Sequence, residues 1–507
     1  MGKWRKTAVY LMVLILSGSQ LTGCGGDGKD RTDEAESSED NADLYPEIIG
    51  TYEAEDASFT GGAHGETGKA ECSGGGYATG FQNDGDACVF RVEVPEDGFY
   101  DLLFSSSAGD HKENYVTADG EALGNLVTDT KSFTESEISR VYLTAGEHEI
   151  AVSKFWGWID LDYLKVAVSK PIPASTYQVS AELVNENATE NAKRLMSYLA
   201  DNYGTRILSG QYCDTGINGK EIRVVNEVTG KKPAVLGLDF MEYTPSFVEH
   251  GSKGRSTDLA IQCWEQGGIV TFCWHWNAPS KYLTGNWYSG FYAEYTNIDL
   301  AKIMNGQDEE GYELLMADID AIAAQLLILQ EAGVPVLWRP LHEASGGWFW
   351  WGAAGAEPYI QLYRLLFDRL TNEYGLNNLI WVWNGQNKDW YPGDEYVDII
   401  GEDIYPGERV YTSQINKYLE AVDYTEAGKM VVLSENGCVF DPELAVRDGA
   451  MWGFWCTWSG EFVAKDTAIF AYSEQYTEAE ALKRFYENEA VITLEELPDL
   501  KTYPMRK

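Results

Sequence analysis

The chain has 507 residues, too many for one ordinary domain and enough for two or three. Its formal net charge of −42 argues against nucleic acid, because binding a polyphosphate needs basic patches that release counterions. It argues equally against an anionic membrane or a polyanionic substrate as the main partner. A neutral polymer is compatible with this charge, and the 17 Trp and 31 Tyr offer flat apolar faces that suit sugar rings as well as core packing.

The N-terminus reads as a cleaved leader over residues 1–23. Lys3, Arg5 and Lys6 form a positive region, and Thr7 to Leu16 form an apolar stretch too short for a membrane span. Leu21-Thr-Gly-Cys24 is similar to a bacterial lipobox. Cys24 is therefore expected to carry a lipid that anchors the protein to the cell envelope, outside the cytoplasm. Residues 24–46 are rich in Asp, Glu, Ser and Gly, with little to bury, and read as an acidic flexible tether. The seven remaining cysteines are odd in number and irregular in spacing, which is not a disulfide framework, and no CxxC pair suggests zinc. A Cys72–Cys88 bridge is compatible with an oxidising compartment, but spacing does not decide it.

Residues 47–168 show short alternating runs at Ala87–Val94, Gly98–Ser105, Glu137–Leu143 and His148–Val152, broken by Gly, Asp and Asn. Strands this short and evenly spaced predict an all-β sandwich. A linker follows at 169–176, stiffened by Pro171 and Pro173. Beyond it, over 177–507, apolar strand-length runs alternate with amphipathic helical stretches. The predicted strands are Arg206–Gln211, Pro233–Phe240, Gly268–Trp276, Pro335–Glu343, Leu379–Asn384, Val397–Tyr405, Lys429–Glu435 and Met451–Trp458. Predicted helices include Glu190–Asn202, Tyr312–Ala332, Pro358–Glu373 and Thr412–Ala427. Eight strands alternating with helices predict an α/β fold, a (β/α)8 TIM barrel. An open doubly wound sheet is the rival, but no Gly-rich phosphate turn follows the first strand.

Catalytic groups of such barrels sit at the C-terminal ends of the strands. Those ends read Gln211, Asp239, His275, His342 with Glu343, Asn384, Asp403 with Tyr405, Glu435, and Trp455 with Trp458. Glu343 and Glu435 end strands four and seven. A carboxylate at the end of a buried strand is costly unless paired, and Arg339 is the nearby pairing candidate. Together the two glutamates match glycoside hydrolysis, in which one carboxyl protonates the leaving oxygen and the other attacks the anomeric carbon; facing strands could supply the ~5–5.5 Å separation of a retaining enzyme. Tyr405 could hydrogen-bond Glu435. Strand alternation sends Trp274 and Trp276 away from His275. Sugar-stacking candidates are Trp348, Trp350, Trp351, Trp287, Trp455 and Trp458.

The run Trp338-Arg-Pro-Leu-His-Glu-Ala-Ser-Gly-Gly-Trp-Phe-Trp-Trp351 resembles glycoside hydrolase family 26, most of whose members are endo-β-1,4-mannanases. The resemblance continues at Trp381-Val-Trp-Asn384, Gly401-Glu-Asp-Ile-Tyr-Pro406 and Val431-Val-Leu-Ser-Glu-Asn-Gly437. It implies a retaining barrel with Glu343 as acid/base and Glu435 as nucleophile. His342, Trp348 and His275 would line the −1 sugar site, Tyr405 would partner the nucleophile, and Asp403 falls at a further position that matters. The same resemblance admits a β-1,3-1,4-glucanase or a β-1,3-xylanase. A metal-dependent hydrolase built on His275, His342, Glu343 and Asp403 lacks the usual histidine spacings, and a non-catalytic glycan-binding protein would not need both glutamates.

The N-terminal body is similar to a family 35 carbohydrate-binding module. The similarity rests on Tyr52-Glu-Ala-Glu55, Gly74-Gly-Gly-Tyr77 and Gly157-Trp-Ile-Asp-Leu-Asp-Tyr-Leu-Lys-Val166. It implies a structural calcium held by Glu53, Glu55 and Asp162, as suits a hard cation, with Trp156 and Trp158 facing sugar. No cofactor is expected for catalysis. The expected partner is a neutral β-glycan, first of all mannan, and the expected state is a monomer.

Overall fold

The computed structural model describes residues 47–465 and 471–506. The leader, the tether and Cys24 lie outside the described residues.

The N-terminal body consists of two antiparallel sheets, one of six strands and one of five. Alternation along Ala87–Val94 buries Phe90, Val92 and Val94 and exposes Arg91 and Glu93, the period expected of a strand with one covered face. The buried chains meet Leu102, Phe104, Ile150 and Leu164 from both sheets. The first strand, Ile48–Glu53, pairs antiparallel with the last, Ile159–Val168, and puts Glu53 opposite Tyr163. That register brings the Glu-Ala-Glu segment to the neighbourhood of Asp162, more than a hundred residues later in the chain. The Cys72–Cys88 bridge is not formed. Cys88 is fully buried with its thiol directed at the Ala54 carbonyl, while the Cys72 thiol donates to the Lys69 carbonyl.

The connection at 169–176 is held at its start. The Ser169 hydroxyl donates to Asp101, and Arg140 donates from Nη1 to the Lys170 carbonyl (2.9 Å) and from Nε to the Asp448 carbonyl (3.2 Å).

The C-terminal body is a closed barrel of eight parallel strands. In chain order they are β1 (Gly210–Tyr212), β2 (Val235–Asp239), β3 (Ile269–Trp274), β4 (Val336–Pro340), β5 (Leu379–Trp383), β6 (Ile399–Ile404), β7 (Met430–Asn436) and β8 (Trp455–Thr457). Each predicted strand has its counterpart, with three marked differences of length. The Pro335–Glu343 run is strand only as far as Pro340, and His342 and Glu343 lie on the turn that follows it. The Arg206–Gln211 run is divided: Ile207–Leu208 leaves the barrel to pair with Val491–Ile492, because Ser209 donates both its N–H and its hydroxyl to the Ile492 carbonyl. The Met451–Trp458 run is strand only over its last residues, since tight N–H···O bonds across Gly449–Met451 and Ala450–Trp452 keep its start folded.

Among the helices, Glu190–Asn202 has the predicted bounds, and the long helix Glu309–Glu331 starts where Asp308 accepts the Gly311 N–H at 2.9 Å, an N-cap ahead of two acidic residues. The Pro358–Glu373 stretch divides into an α-helix, Ala356–Phe367, and a π-helical turn, Asp368–Glu373. The Thr412–Ala427 stretch is helical only over Ile415–Val422.

Outward-facing aromatic rings fill the layer between barrel and helices. Trp274 and Trp276 stack at 4.1 Å, Trp381 packs on Tyr363 and Phe367, and Trp383 on Tyr391 and Tyr424. One irregularity matters for the site. The β6–β7 pairing slips so that Glu402 faces Leu433 but Asp403 faces Glu435. The extra residue, Ser434, bulges, and β-bulges of this kind re-aim side chains next to active sites. Here Ser434 and Glu435 both reach Asp403 or Arg339 within the barrel.

Candidate active site

At the C-terminal end of the strands one cation sits among three carboxyls. Arg339, on β4, is fully buried. Its Nη1 donates to Asp403 Oδ2 at 2.5 Å, and its Nη2 donates to Glu435 Oε1 and to the Tyr212 hydroxyl. Glu343, just past the same strand, completes the group: one oxygen from each of Glu343, Asp403 and Glu435 lies within 4.8 Å of the others. A buried charge is tolerable only with partners, and one guanidinium cannot neutralise three carboxylates.

The surrounding groups divide the carboxyls. Glu435 accepts from Arg339 at Oε1 and from the Tyr405 hydroxyl at Oε2 (2.7 Å), so both of its oxygens act as acceptors. Asp403 accepts from Arg339, from Asn384 Nδ2 (2.9 Å) and from the Ser434 hydroxyl (2.7 Å); burial nevertheless pushes its pKa up to about 7. Glu343 accepts a single hydrogen bond, from Trp348 Nε1 at 2.9 Å. Burial first, and then the charges of Asp403 and Glu435, hold its carboxyl well above the usual carboxylate range. It is therefore the member that stays protonated.

The backbone aims Glu343. It has φ 52°, and Leu341 two residues earlier has φ 54°, left-handed conformations that cost energy in side-chain-bearing residues and gather at functional sites. The Glu343 N–H is bonded to both the carbonyl and the side-chain oxygen of Asn384, each at 2.8 Å. Two glycines make room. A methyl group at Gly346 would meet the Trp348 ring at 2.0 Å, and one at Gly437 would meet the Tyr405 ring at 2.8 Å.

Two histidines form the adjoining wall. His275 Nδ1 lies 2.6 Å from Asp239 Oδ2, and its Nε2 lies 3.3 Å from His342 Nε2. Phe349 packs against both rings, and Tyr292 stacks on Phe349. Asp239, Cys273 and His275 also offer atoms within 4.8 Å of one another. Burial first, and then the charges of Asp239, Glu435 and Asp403, hold the Cys273 thiol well above its usual range.

A sequence profile of glycosyl hydrolase family 26 matches residues 184–492. The chain belongs to this family. The N-terminal body, residues 50–169, matches the carbohydrate binding module family 35. A mannan endo-1,4-β-mannosidase of Thermothelomyces thermophilus is 40% identical over 88% of this chain and 90% of its own length. Mannan endo-1,4-β-mannosidase B of Piromyces is 36% identical over 88% of this chain and 77% of its own. A solved structure of a Podospora anserina GH26-CBM35 β-(1,4)-mannanase superimposes with a TM-score of 0.62 at 37% identity, covering 89% of this chain and 99% of that one.

The family 26 barrel brings Glu343, Glu435, Arg339, Asp403, Asn384, Tyr405, His275, His342 and Trp348 to one place. Of the other tryptophans proposed to face sugar, Trp458 is at the mouth, its ring 4.6 Å from Tyr212 and 5.6 Å from His275. Trp287 is half-buried further out, one face covered by a parallel His250 ring at 4.2 Å. Trp350, Trp351 and Trp455 are corrections: all three are at most 1% exposed. Trp350 and Trp351 spend their N–H groups on the carbonyls of Trp276 and His342, and Trp455 packs behind the barrel on Phe440 and Tyr486. In the module, Trp158 is 65% exposed, whereas Trp156 is half-buried edge-on to His111. Strand-end reading missed Tyr212, Ser434 and Tyr292. A bulge such as that at Ser434 leaves no mark in an apolar run, and Tyr292 lies on a long loop.

If Trp455 only packs, Trp455→Phe lowers stability by roughly 1–2 kcal/mol through the cavity it leaves, with KM for the glycan unchanged. Urea denaturation and steady-state kinetics on the same preparation check both halves.

Proposed function

We propose that the barrel hydrolyses internal β-1,4-mannosidic bonds of mannan, glucomannan or galactomannan by double displacement, with Glu435 as nucleophile and Glu343 as acid/base. The observation that carries this reading is the unequal treatment of two adjacent carboxyls. Glu435 is held by Arg339 and Tyr405 as an acceptor at both oxygens, whereas Glu343 is left protonated by burial and by its neighbours' charge. Their nearest oxygens lie within 4.8 Å, which suits direct attack; an inverting enzyme would need ~6.5–9.5 Å to admit a water. Glu435 attacks the anomeric carbon while Glu343 gives its proton to the leaving oxygen. Glu343, now ionised, takes a proton from the water that releases the sugar. The chemistry uses side chains and water, with no cofactor. His275, His342 and Trp348 would contact the −1 sugar, with Trp458 beside them. Mannan as substrate is supported by the relatives named mannan endo-1,4-β-mannosidase.

Glu435→Ala is expected to release no new reducing ends from mannan while unfolding like the parent. Glu343→Gln is expected to lose about 10²–10⁴-fold on mannan and to lose the alkaline limb of the pH profile. The sign follows from the raised Glu343 pKa: its proton is present at low pH and is lost as pH rises through that pKa. Appreciable mannan hydrolysis by Glu435→Ala would eliminate the assignment. Faster cleavage of mixed-linkage glucan or β-1,3-xylan than of mannan by the parent enzyme would change the substrate.

We also infer a structural calcium in the module, held by Glu53, Glu55 and Asp162. The Ser73 hydroxyl donates to Glu53 Oε2 (2.6 Å), and the Ser73 N–H to Asp162 Oδ1 (2.8 Å). Gly74 backs onto Glu55 Oε1 and Glu53 Oε2 so closely that a methyl group there would sit 2.6 and 2.8 Å from them. Glu55 Oε2 is buried without a partner. Oxygen donors of this charge suit calcium. Excess chelator should lower the calorimetric unfolding temperature of the module by several degrees and leave the barrel transition in place; an unmoved module transition counts against the ion.

The anchor at Cys24 rests on the leader sequence alone, and the enzyme is read as an envelope-bound monomer. Mass spectrometry of the mature N-terminus should find a lipid-modified Cys24, and Cys24→Ser should release the protein to the medium. An unmodified Cys24 with its leader still attached would refute the anchor.

A further inference from the structure

The His275–His342 contact constrains where protons lie, and the constraint leads to Asp239. The two Nε2 atoms are 3.3 Å apart. Two lone pairs at that distance repel and two N–H groups collide, so one nitrogen carries hydrogen and the other does not. His342 is 1% exposed, and burial together with the charge of Arg339 holds its pKa well below the usual range. It is therefore neutral, with one N–H to place. Its Nδ1 is buried and has no partner. A hydrogen there would be a stranded donor, costing about 1–3 kcal/mol. On Nε2 it donates to His275.

His275 must then present a lone pair at Nε2 and carry its own proton on Nδ1, the atom 2.6 Å from Asp239 Oδ2. Asp239 is held for this purpose. Its other oxygen, Oδ1, accepts the backbone N–H of Met241 (2.8 Å) and of His275 (3.1 Å), which leaves Oδ2 to face the ring. We propose that Asp239 is a positioning residue for the hydrolytic reaction, fixing the His275 proton on Nδ1 and thereby locking His342 in its Nε2–H form beside Glu343. The consequence reaches the acid because His342 directly precedes Glu343 between two left-handed residues. A reversed His275 would press N–H against N–H and push the strand end that carries the catalytic carboxyl. Orienting carboxylates behind an imidazole act in this way in other hydrolases. The role in catalysis rests on the double-displacement reading above; the proton assignment does not.

Asp239→Asn isolates the effect. The two backbone N–H groups at Oδ1 require that position to remain an oxygen, so the new NH2 faces His275 Nδ1. A donor there drives the His275 proton to Nε2, against His342. The expected result is a fall in kcat on mannan of about a hundredfold or more, a change in KM of less than about threefold, and an unfolding temperature close to that of the parent. Long-range ¹H–¹⁵N spectra of histidine-labelled enzyme read the tautomers directly. They are taken at about pH 8, above the usual histidine range, because Asp239 outweighs burial and raises the His275 pKa. The other titratable or charged groups around His275 are Asp214, Cys273, Arg339, His342 and Glu435. The parent should show Nδ1–H at His275 and Nε2–H at His342, and Asp239→Asn should reverse the first. Nε2–H at His275 in the parent would overturn the proposal whether or not the variant folds, as would a variant with parental kcat. A parent that leaves mannan intact yet shows the expected tautomers would sink the substrate reading and leave the proton assignment standing.

Discussion

One guanidinium organises the mouth of this barrel. Arg339 is fully buried and is shared between Asp403 and Glu435, with Glu343 on the rim of the same cluster. A single positive charge among three carboxyls cannot satisfy all of them, and the remaining hydrogen bonds decide which one keeps its proton. Glu435 receives donors at both oxygens, whereas Glu343 receives one indole N–H. The division of labour between acid and nucleophile therefore follows from donor supply. It is a physical consequence of placing one arginine where β4, β6 and β7 converge.

That convergence depends on a packing arrangement that has no part in the chemistry. The outward faces of the strands carry Trp274, Trp276, Trp381, Trp383 and Trp455 at or near zero exposure. They fill the layer under the helices and hold the strand ends that carry the site. The bulge at Ser434 turns an additional polar side chain inward, where its hydroxyl reaches Asp403. Asn384 ties the Glu343 backbone and the Asp403 side chain to a single amide, so acid and cluster are positioned by the same residue.

The sandwich is built by the same economy of register. Its first and last strands pair, which delivers Glu53 and Asp162 to one region, and Ser73 bridges them. Arg140 holds the connecting segment and also reaches the Asp448 carbonyl of the catalytic body. The exposed Trp158, itself at φ 52°, stands on the loop that leads into the last strand.

The sequence alone determined the order of elements, the eight strands, and the two carboxyls, one just past β4 and the other near the end of β7. Each of these is local: strand periodicity, a helical stretch between strands, a polar residue after an apolar run. The Arg339 ion pair and the Tyr405–Glu435 hydrogen bond were legible as candidates, since strand ends in a closed barrel must face one another. The tertiary structure decided what depends on which face a ring takes and which atoms meet. Trp350, Trp351 and Trp455 went to the core and Trp458 to the mouth, because an indole is equally apolar in either place and only its neighbours choose. The bulge that admits Ser434, the proton held on Glu343 and the Asp239–His275–His342 contact are set by distances between residues remote in the chain, which no spacing along it encodes.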